Sequence, residues 1–510
     1  MKDKKSLRIG PCEAWYGLCV EDGADLPITH ESRYSRSLAP NETVNGAAAI
    51  LVSSDGRYLY CASGAQVSAQ NGVLEMCSPD AEIFIGEGFE TLRGAWRALV
   101  RDHLPAGGQA PPALFFTAPQ YNTWIELLYD QSQEGILHYA RSLLANGYPP
   151  GVLMIDDGWM RDYGMWDFDA ERFPNPREMV ARLHNMGFRV MLWVSPFVSP
   201  DSPVFRVLRQ TNVLVRDAQG EPAVREWWNG WSALLDLSGK EGVEWLNRQL
   251  DSLVERYGVD GFKMDGGDAK FYRNDDHTAG RVSANEQSTL WAKAGLRYPY
   301  NEFRACYGMA NAPLVQRLAD KNHSWEQNGV GSLVPNTLTQ GMLGYAFSCP
   351  DMIGGGEYAN FMANSGKLDA ELFVRYAQCA ALMPMMQFSA APWRVLPPEA
   401  ATLCVQAAKL HGQYAEIILS LARHAAQTGE PIVRYLEYCF PHQGLEAVRD
   451  QFMLGDSLLV APVLTKGARV RSVVLPQGRW KYVDGTIYDG GCIVTVPAEL
   501  DTLPRFVLQA

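Results

Sequence analysis

Between residues 113 and 425, short apolar runs alternate with longer amphipathic segments, the pattern of repeated strand–helix units around a parallel sheet. Four runs are plain: ALFFTAP (113–119), GVLMID (151–156), RVMLWVS (189–195) and VDGFKMD (259–265). Four weaker ones follow at FRACYG (303–308), NHSWEQ (322–327), GYAFSC (344–349) and MPMMQFS (383–389). Eight strands in a stretch of this length point to a closed (β/α)8 barrel of the TIM type rather than an open sheet. Several of the runs end in or just before polar and aromatic clusters, and in a barrel those C-terminal strand ends converge on one mouth. The flanks differ in texture. Residues 1–112 read as short strands with Gly, Asn and Asp turns, then a helix at TLRGAWRALVRDHL and the boundary PAGGQAPP, which predicts an N-terminal β-sandwich domain. Strands return in DSLLVAPVL, RVRSVVLP and GCIVTVPA, predicting a C-terminal β-sheet domain over 426–510 after a barrel over 113–425. No internal repeat or low-complexity tract is visible.

Charge and composition exclude several functions. A net charge of −12 with no Lys/Arg run argues against nucleic acid and against anionic membrane surfaces as partners. No stretch reaches the roughly 18 uninterrupted apolar residues of a membrane span. The opening MKDKKSLRIG lacks the apolar core of a secretory signal. Ten scattered cysteines, none in a CxxC pair, read as free thiols in a reducing compartment, so a cytoplasmic location is expected. Homo-oligomerisation is left open.

The sharpest chemical segment is GVDGFKMDGGD (258–268), where an apolar strand ends in Asp265 and two glycines let the backbone turn away, leaving the carboxylate exposed. Lys263, two residues earlier, points the same way on a strand, and a cation there would keep Asp265 ionised as a nucleophile requires. In VLMIDDGWM, Asp156 and Asp157 close a strand beside Trp159, a combination suited to binding sugar hydroxyls while stacking on a ring's apolar face. EWWNGWSALLD implies that at least one of Trp227, Trp228 and Trp231, ahead of Asp236, lines a cavity. RLADKNHSWEQN offers Asp320 and Glu326 as rival proton donors, and SCPDMIGGG places Asp351 after another apolar strand. Each has a plain structural alternative: an Asp–Lys pair, a helix cap or a core tryptophan.

With these segments in view, the sequence resembles glycoside hydrolase family 31 over most of its length. FKMDGGD is similar to that family's nucleophile strand, NPREMVARLHNMGFRVMLWVSP to the approach to its third strand, and FMLGDSLLVAPVLTKGARVRSVVLPQGRW (452–480) to the β-domain after its barrel. Members carry the acid/base as an Asp five residues before a Trp and sixteen after an Arg. Asp320, Trp325 and Arg304 meet both spacings, so the resemblance favours Asp320 over Glu326. Three departures separate the chain from the common α-glucosidase pattern. Arg317-Leu-Ala-Asp320 replaces His-Trp-x-Gly-Asp, Asp156 and Asp157 are adjacent rather than spaced, and Gln387 and Ser389 stand where a sugar-binding His is usual. All three are similar to the subgroup of the myogenesis-regulating glycosidase and bacterial α-galactosidases.

The resemblance implies a cofactor-free, retaining, exo-acting α-glycosidase acting on an α-linked oligosaccharide or glycoside. α-Galactosides come first, with α-glucosides, α-xylosides and α-N-acetylgalactosaminides as alternatives. Asp265 would attack the anomeric carbon while Asp320 protonates the leaving oxygen and later activates water. Asp156, Asp157, Trp193, Trp228, Lys263, Arg304, Asp351 and Gln387 form the expected sugar-binding set. Two other classes compete. A metal-dependent barrel hydrolase would want clustered histidines, whereas the nine here form no HxH or HxxxH at a strand end. A non-catalytic sugar-binding protein would be expected to lack one of the two carboxylates.

Overall fold

The computed structural model describes residues 2–509. Its centre is a parallel barrel of eight very short strands: β1 (Gln120–Asn122), β2 (Val152–Ile155), β3 (Arg189–Val194), β4 (Gly261–Met264), β5 (Tyr300–Phe303), β6 (Val315–Arg317), β7 (Ser348–Cys349) and β8 (Gln387–Phe388). Each of β1 to β7 pairs with its neighbour, and β8 returns to β1 with Gln120 opposite Gln387. Just past β7, Ile353 N donates to Gln387 O at 2.8 Å and nearly closes the ring.

Register sets what faces inward. Trp193, Lys263 and Glu302 are partners across β3, β4 and β5, so their side chains leave the sheet in the same direction and stack as one layer inside the barrel. The outer face is covered by helices such as Lys240–Tyr257, which turns Leu246, Leu250 and Leu253 inward. After β3 the chain inserts a three-stranded antiparallel sheet (Phe197–Val198, Val224–Trp227, Gly230–Leu234) whose hairpin turn carries Trp228 to the mouth.

Two antiparallel sheets, of four and five strands, form the N-terminal domain around Trp15, Leu51, Leu59, Val67, Leu74 and Met76. The helix Leu92–His103 follows, capped where the Thr91 hydroxyl accepts from Gly94 N at 3.0 Å. A six-stranded sheet and a two-stranded ribbon build the C-terminal domain around Trp480, Phe506, Val473 and Val496. Buried Glu430 ties the units together, accepting from Arg93 and Arg97 on the N-terminal helix.

Several strands lie elsewhere than predicted. ALFFTAP is a helical turn (Leu114–Thr117) after Pro111-Pro112, and β1 starts only after Pro119. A short apolar run does not distinguish a buried turn from a buried strand. NHSWEQ is loop, and the sixth strand is Val315–Arg317 ahead of it. β5 precedes the predicted FRACYG and shares only Phe303 with it, which leaves Arg304 just beyond the strand end.

Candidate active site

Asp265 follows β4 directly, and its carboxylate is held from three sides. Oδ1 accepts from Arg304 Nε at 2.8 Å and from Gly266 N at 2.8 Å, while Oδ2 accepts from Trp193 Nε1 at 2.9 Å. Burial pushes this carboxyl up, but the charges of Arg304, Lys263 and Arg317 outweigh it and hold Asp265 well below the usual carboxylate range. The two following glycines both take left-handed backbone, φ +63° and +71°, and a Cβ on Gly267 would come within 2.2 Å of Trp291. That turn sets Asp265 in the cavity wall, where the residue is buried rather than exposed as the sequence suggests.

The cation bonded to Asp265 is therefore Arg304, not Lys263. Lys263 Nζ instead donates to Asp156 Oδ2 at 2.7 Å, across the barrel to the end of β2. Arg304 also donates through Nη2 to buried Asp268 at 2.8 Å, and its guanidinium lies 4.9 Å from the ring centre of Trp228.

Across the same mouth, three residues beyond β6, stands Asp320. Its side chain is 38% exposed and accepts from Arg317 Nη1 at 2.8 Å. The same nitrogen donates to buried Asp351 at 2.8 Å. Asp351 further accepts from Lys321 N at 2.6 Å and Gly356 N at 2.8 Å; burial and the neighbouring Asp320 push its carboxyl up against these donors. Glu326, the rival donor, is exposed on the loop and does not reach the cavity.

Asp265, Asp320, Asp156, Asp157, Trp193, Trp228, Lys263 and Arg304 line one cavity of about 400 Å³, completed by Val44, Trp124, Tyr129, Ala319, Glu357 and Tyr358. Asp157 is the distinctive member. Oδ2 accepts from Tyr163 OH at 3.0 Å and Asn229 Nδ2 at 2.7 Å, while Oδ1 has no partner among the described residues. Burial and the charge of Asp156 push it up to about 7. Asp157 thus contributes to the cavity wall while its unpartnered Oδ1 is closed off from solvent.

Two expected sugar contacts lie below the cavity instead. Asp351 is sealed under the Asp320 loop. Gln387 sits in the barrel interior, where Nε2 donates to Glu302 at 2.8 Å and Gln120 at 3.1 Å. Gln387 opens the two-residue strand β8 and points into the polar core, whereas Asp351 lies two residues past β7 and is drawn down by the Lys321 and Gly356 amides. Ser389 is likewise internal, its hydroxyl accepting from Ile125 N at 2.7 Å. Trp159 is core, donating to Trp193 O, and Asp236 caps the Ser238 and Ala279 amides. Of the three clustered tryptophans, Trp228 alone lines the cavity; Trp227 stacks on Phe197 at 4.1 Å. Sequence reasoning passed over Asp268, Arg317, Tyr163 and Asn229. A signal existed for Arg317, in the RLAD motif itself. Among the described residues no group of three or more His, Cys, Asp or Glu side chains is arranged to hold a metal ion, and no helix is long and apolar enough to cross a membrane.

Comparison with known proteins agrees with this geometry. Residues 110–418 match the profile of the glycosyl hydrolases family 31 TIM-barrel domain, and residues 429–509 that of the family's C-terminal domain. The mouse myogenesis-regulating glycosidase is 34% identical over 423 residues, 80% of this chain and 58% of that protein. Alpha-glucosidase 2 of Bacillus thermoamyloliquefaciens is 25% identical over 75% of this chain and 51% of its own length. The chain thus spans only half to three-fifths of these two relatives. The Flavobacterium johnsoniae dextranase, solved with glucose, shares the fold with a TM-score of 0.85 at 21% identity, covering 99% of this chain and 66% of that one.

Proposed function

The chain belongs to glycoside hydrolase family 31, and on that premise we propose that it is a retaining, exo-acting α-glycosidase whose preferred glycone is an α-galactoside. The observation that carries the reaction class is the pair of carboxylates on one cavity in unlike settings. Asp265 is kept ionised by Arg304 and Trp193, and Asp320 stands half-open to solvent. Asp265 attacks the anomeric carbon and forms a glycosyl ester as the aglycone leaves; Asp320 donates its proton to the departing oxygen. Ester formation removes the Asp265 charge, and Asp320 then takes a proton from the water that attacks the same carbon, releasing the sugar with its original configuration. Tyr129, Trp228 and Tyr358 at the rim would meet the aglycone.

For the glycone, the support is narrower. Gln387 and Ser389 are internal, so their difference from the glucosidase pattern does not bear on sugar contact. What remains is the floor formed by Asp156, Asp157 and Lys263, with one free carboxylate oxygen on Asp157 and one lysine already paired. Galactose and glucose differ in the direction of one hydroxyl, and a site that pairs one direction rejects the other because its own buried groups are left unpaired. A panel of 4-nitrophenyl α-glycosides of galactose, glucose, xylose, N-acetylgalactosamine and sulfoquinovose tests this, with the galactoside expected to show the highest kcat/KM. Equal rates on glucose, or a preference for it, ends the galactoside reading. A fluorosugar trap identified by peptide mapping tests the reaction class, and an ester on any residue other than Asp265 refutes it.

A further inference from the structure

The mouth of the barrel is crossed by a piece of the N-terminal domain. Residues 44–47 lead into the strand Ala47–Ser53 and lie against the ends of β5 and β6. Ala47 N donates to Cys306 O at 3.3 Å and Gly308 N to Ala47 O at 3.0 Å. Gly46 is pressed so closely on β6 that a Cβ there would stand 1.9 Å from Gln316 Nε2. Between these contacts sits Asn45, buried, with every polar group of its amide used. Nδ2 donates to Arg304 O at 2.9 Å and to Arg317 O at 3.0 Å, and Oδ1 accepts from Ala319 N at 2.8 Å.

Those three partners are not random backbone. The β5–β6 ladder ends at Phe303 and Gln316, so past that point no strand pairing fixes the distance between the two chain segments. Arg304 is the residue that grips Asp265, and Arg317 the one that grips Asp320. Two of the three Asn45 bonds fall within residues 317–319, the segment that presents Asp320. We propose that Asn45 is a positioning residue for Asp320, anchoring the acid/base segment to the Arg304 backbone and so setting where Asp320 stands relative to Asp265. Retention asks for carboxyls roughly 5–5.5 Å apart; β7 holds the Asp320 segment on its far side, through Arg317 opposite Cys349 and Leu318 N on Cys349 O, and Asn45 ties the side that faces Arg304. The charged groups facing Asp320 are Arg317 and Lys321 on its own segment, Arg304 beyond β5 and Asp351 beyond β7; Asn45 orders the first and third without adding charge.

This inference rests on the reading of Asp320 as acid/base, and the test separates the two. The substrates are the methyl and 4-nitrophenyl α-glycosides of whichever sugar the panel selects, since only the methyl glycoside needs a proton donor to leave. Asn45→Ala strands two carbonyls and the Ala319 amide and can lower the yield of folded protein. Asn45→Asp keeps the shape and the acceptor for Ala319 but removes both donors, and serves as the second variant. Misplacing an acid/base group should lower kcat/KM on the methyl glycoside about 10- to 100-fold and on the nitrophenyl glycoside less than about threefold. Combined with Asp320→Asn, either variant should cause no further loss on the methyl glycoside, because the group it positions is already gone. A loss equal on both substrates, or one that multiplies with Asp320→Asn, overturns the proposal and leaves Asn45 as scaffolding. If Asp320→Asn alone shows no dependence on leaving group, the acid/base reading fails and takes this proposal with it.

Discussion

Replacing Asp157 by Asn should stabilise the protein while crippling it, and the balance should depend on pH. Asp157 is buried, and its carboxyl is pushed from 3.8 to about 7 by that burial and by the charge of Asp156. An Asp in the unfolded chain titrates at about 3.9, so the native state holds a proton that the unfolded state has released between about pH 4 and pH 7. Across that window the contribution of Asp157 to stability is lost as pH rises, and above about pH 7 it stays at its lowest. Three pH units correspond to about 4 kcal/mol at 1.36 kcal/mol each, an upper limit because the cavity admits water. An amide can still accept from Tyr163 and Asn229 and never ionises, so a gain of about 1–3 kcal/mol is expected at about pH 8 and almost none at about pH 4. Thermal melts of both proteins across that range read it directly, as a Tm difference that opens by a few degrees with rising pH. Activity should move the other way. Asp157 lines the cavity, and removing its charge from the wall, at about 1.5–3 kcal/mol for a charged hydrogen bond, lowers kcat/KM about 10- to 100-fold. A Tm gain equal at both ends of the range would show that the buried charge is not its cause. A Tm loss at the alkaline end would show that Tyr163 and Asn229 hold Asp157 ionised at little cost.

Three other substitutions probe the roles assigned around the cavity. Asp320→Asn should lower turnover of poor leaving groups about 10²–10⁴-fold and spare good ones, whereas Glu326→Gln should change neither, as leaving-group series on both variants will report. Lys263→Met removes the buried partner of Asp156 and should cost about 3–5 kcal/mol, read as a lower Tm; an unchanged Tm would mean that the pair contributes nothing net.

How far the sequence anticipated the fold divides along the barrel wall. β2, β3 and β4 are apolar on nearly every residue and were placed within a residue or two. β1, β5 and β6 carry Gln120, Asn122, Glu302, Gln316 and Arg317, polar side chains that interrupt the apolar run. The apolar signal then lay in neighbouring turns, and the predicted strands slid toward it. The same residues explain the errors in the site. Within one strand, spacing fixes direction, so Lys263 was rightly set pointing with Asp265. It does not say which side chain arrives from another strand, and the partner of Lys263 comes from β2 while that of Asp265 comes from beyond β5. Asp351 and Gln387 have suitable residue types near strand ends, but Gln387 starts its strand and bonds Glu302 inside the barrel, and Asp351 is drawn under the loop by the Lys321 and Gly356 amides.

The polar floor also explains how one site keeps two carboxylates in different roles. Lys263, Arg304, Arg317 and Lys321 face Asp156, Asp157, Asp265, Asp268, Glu302, Asp320 and Asp351, so the carboxyls outnumber the cations seven to four. In a buried space such a surplus raises the cost of ionising each carboxyl, since like charges this close repel. The cations are not spread evenly over it. Asp265 feels Arg304, Lys263 and Arg317 together and is driven down, whereas burial pushes up Asp157, Asp268, Glu302 and Asp351. One carboxylate is thus kept bare by a concentrated positive field while burial raises its neighbours, which is the difference an attacking group needs in a cavity shared with other acids.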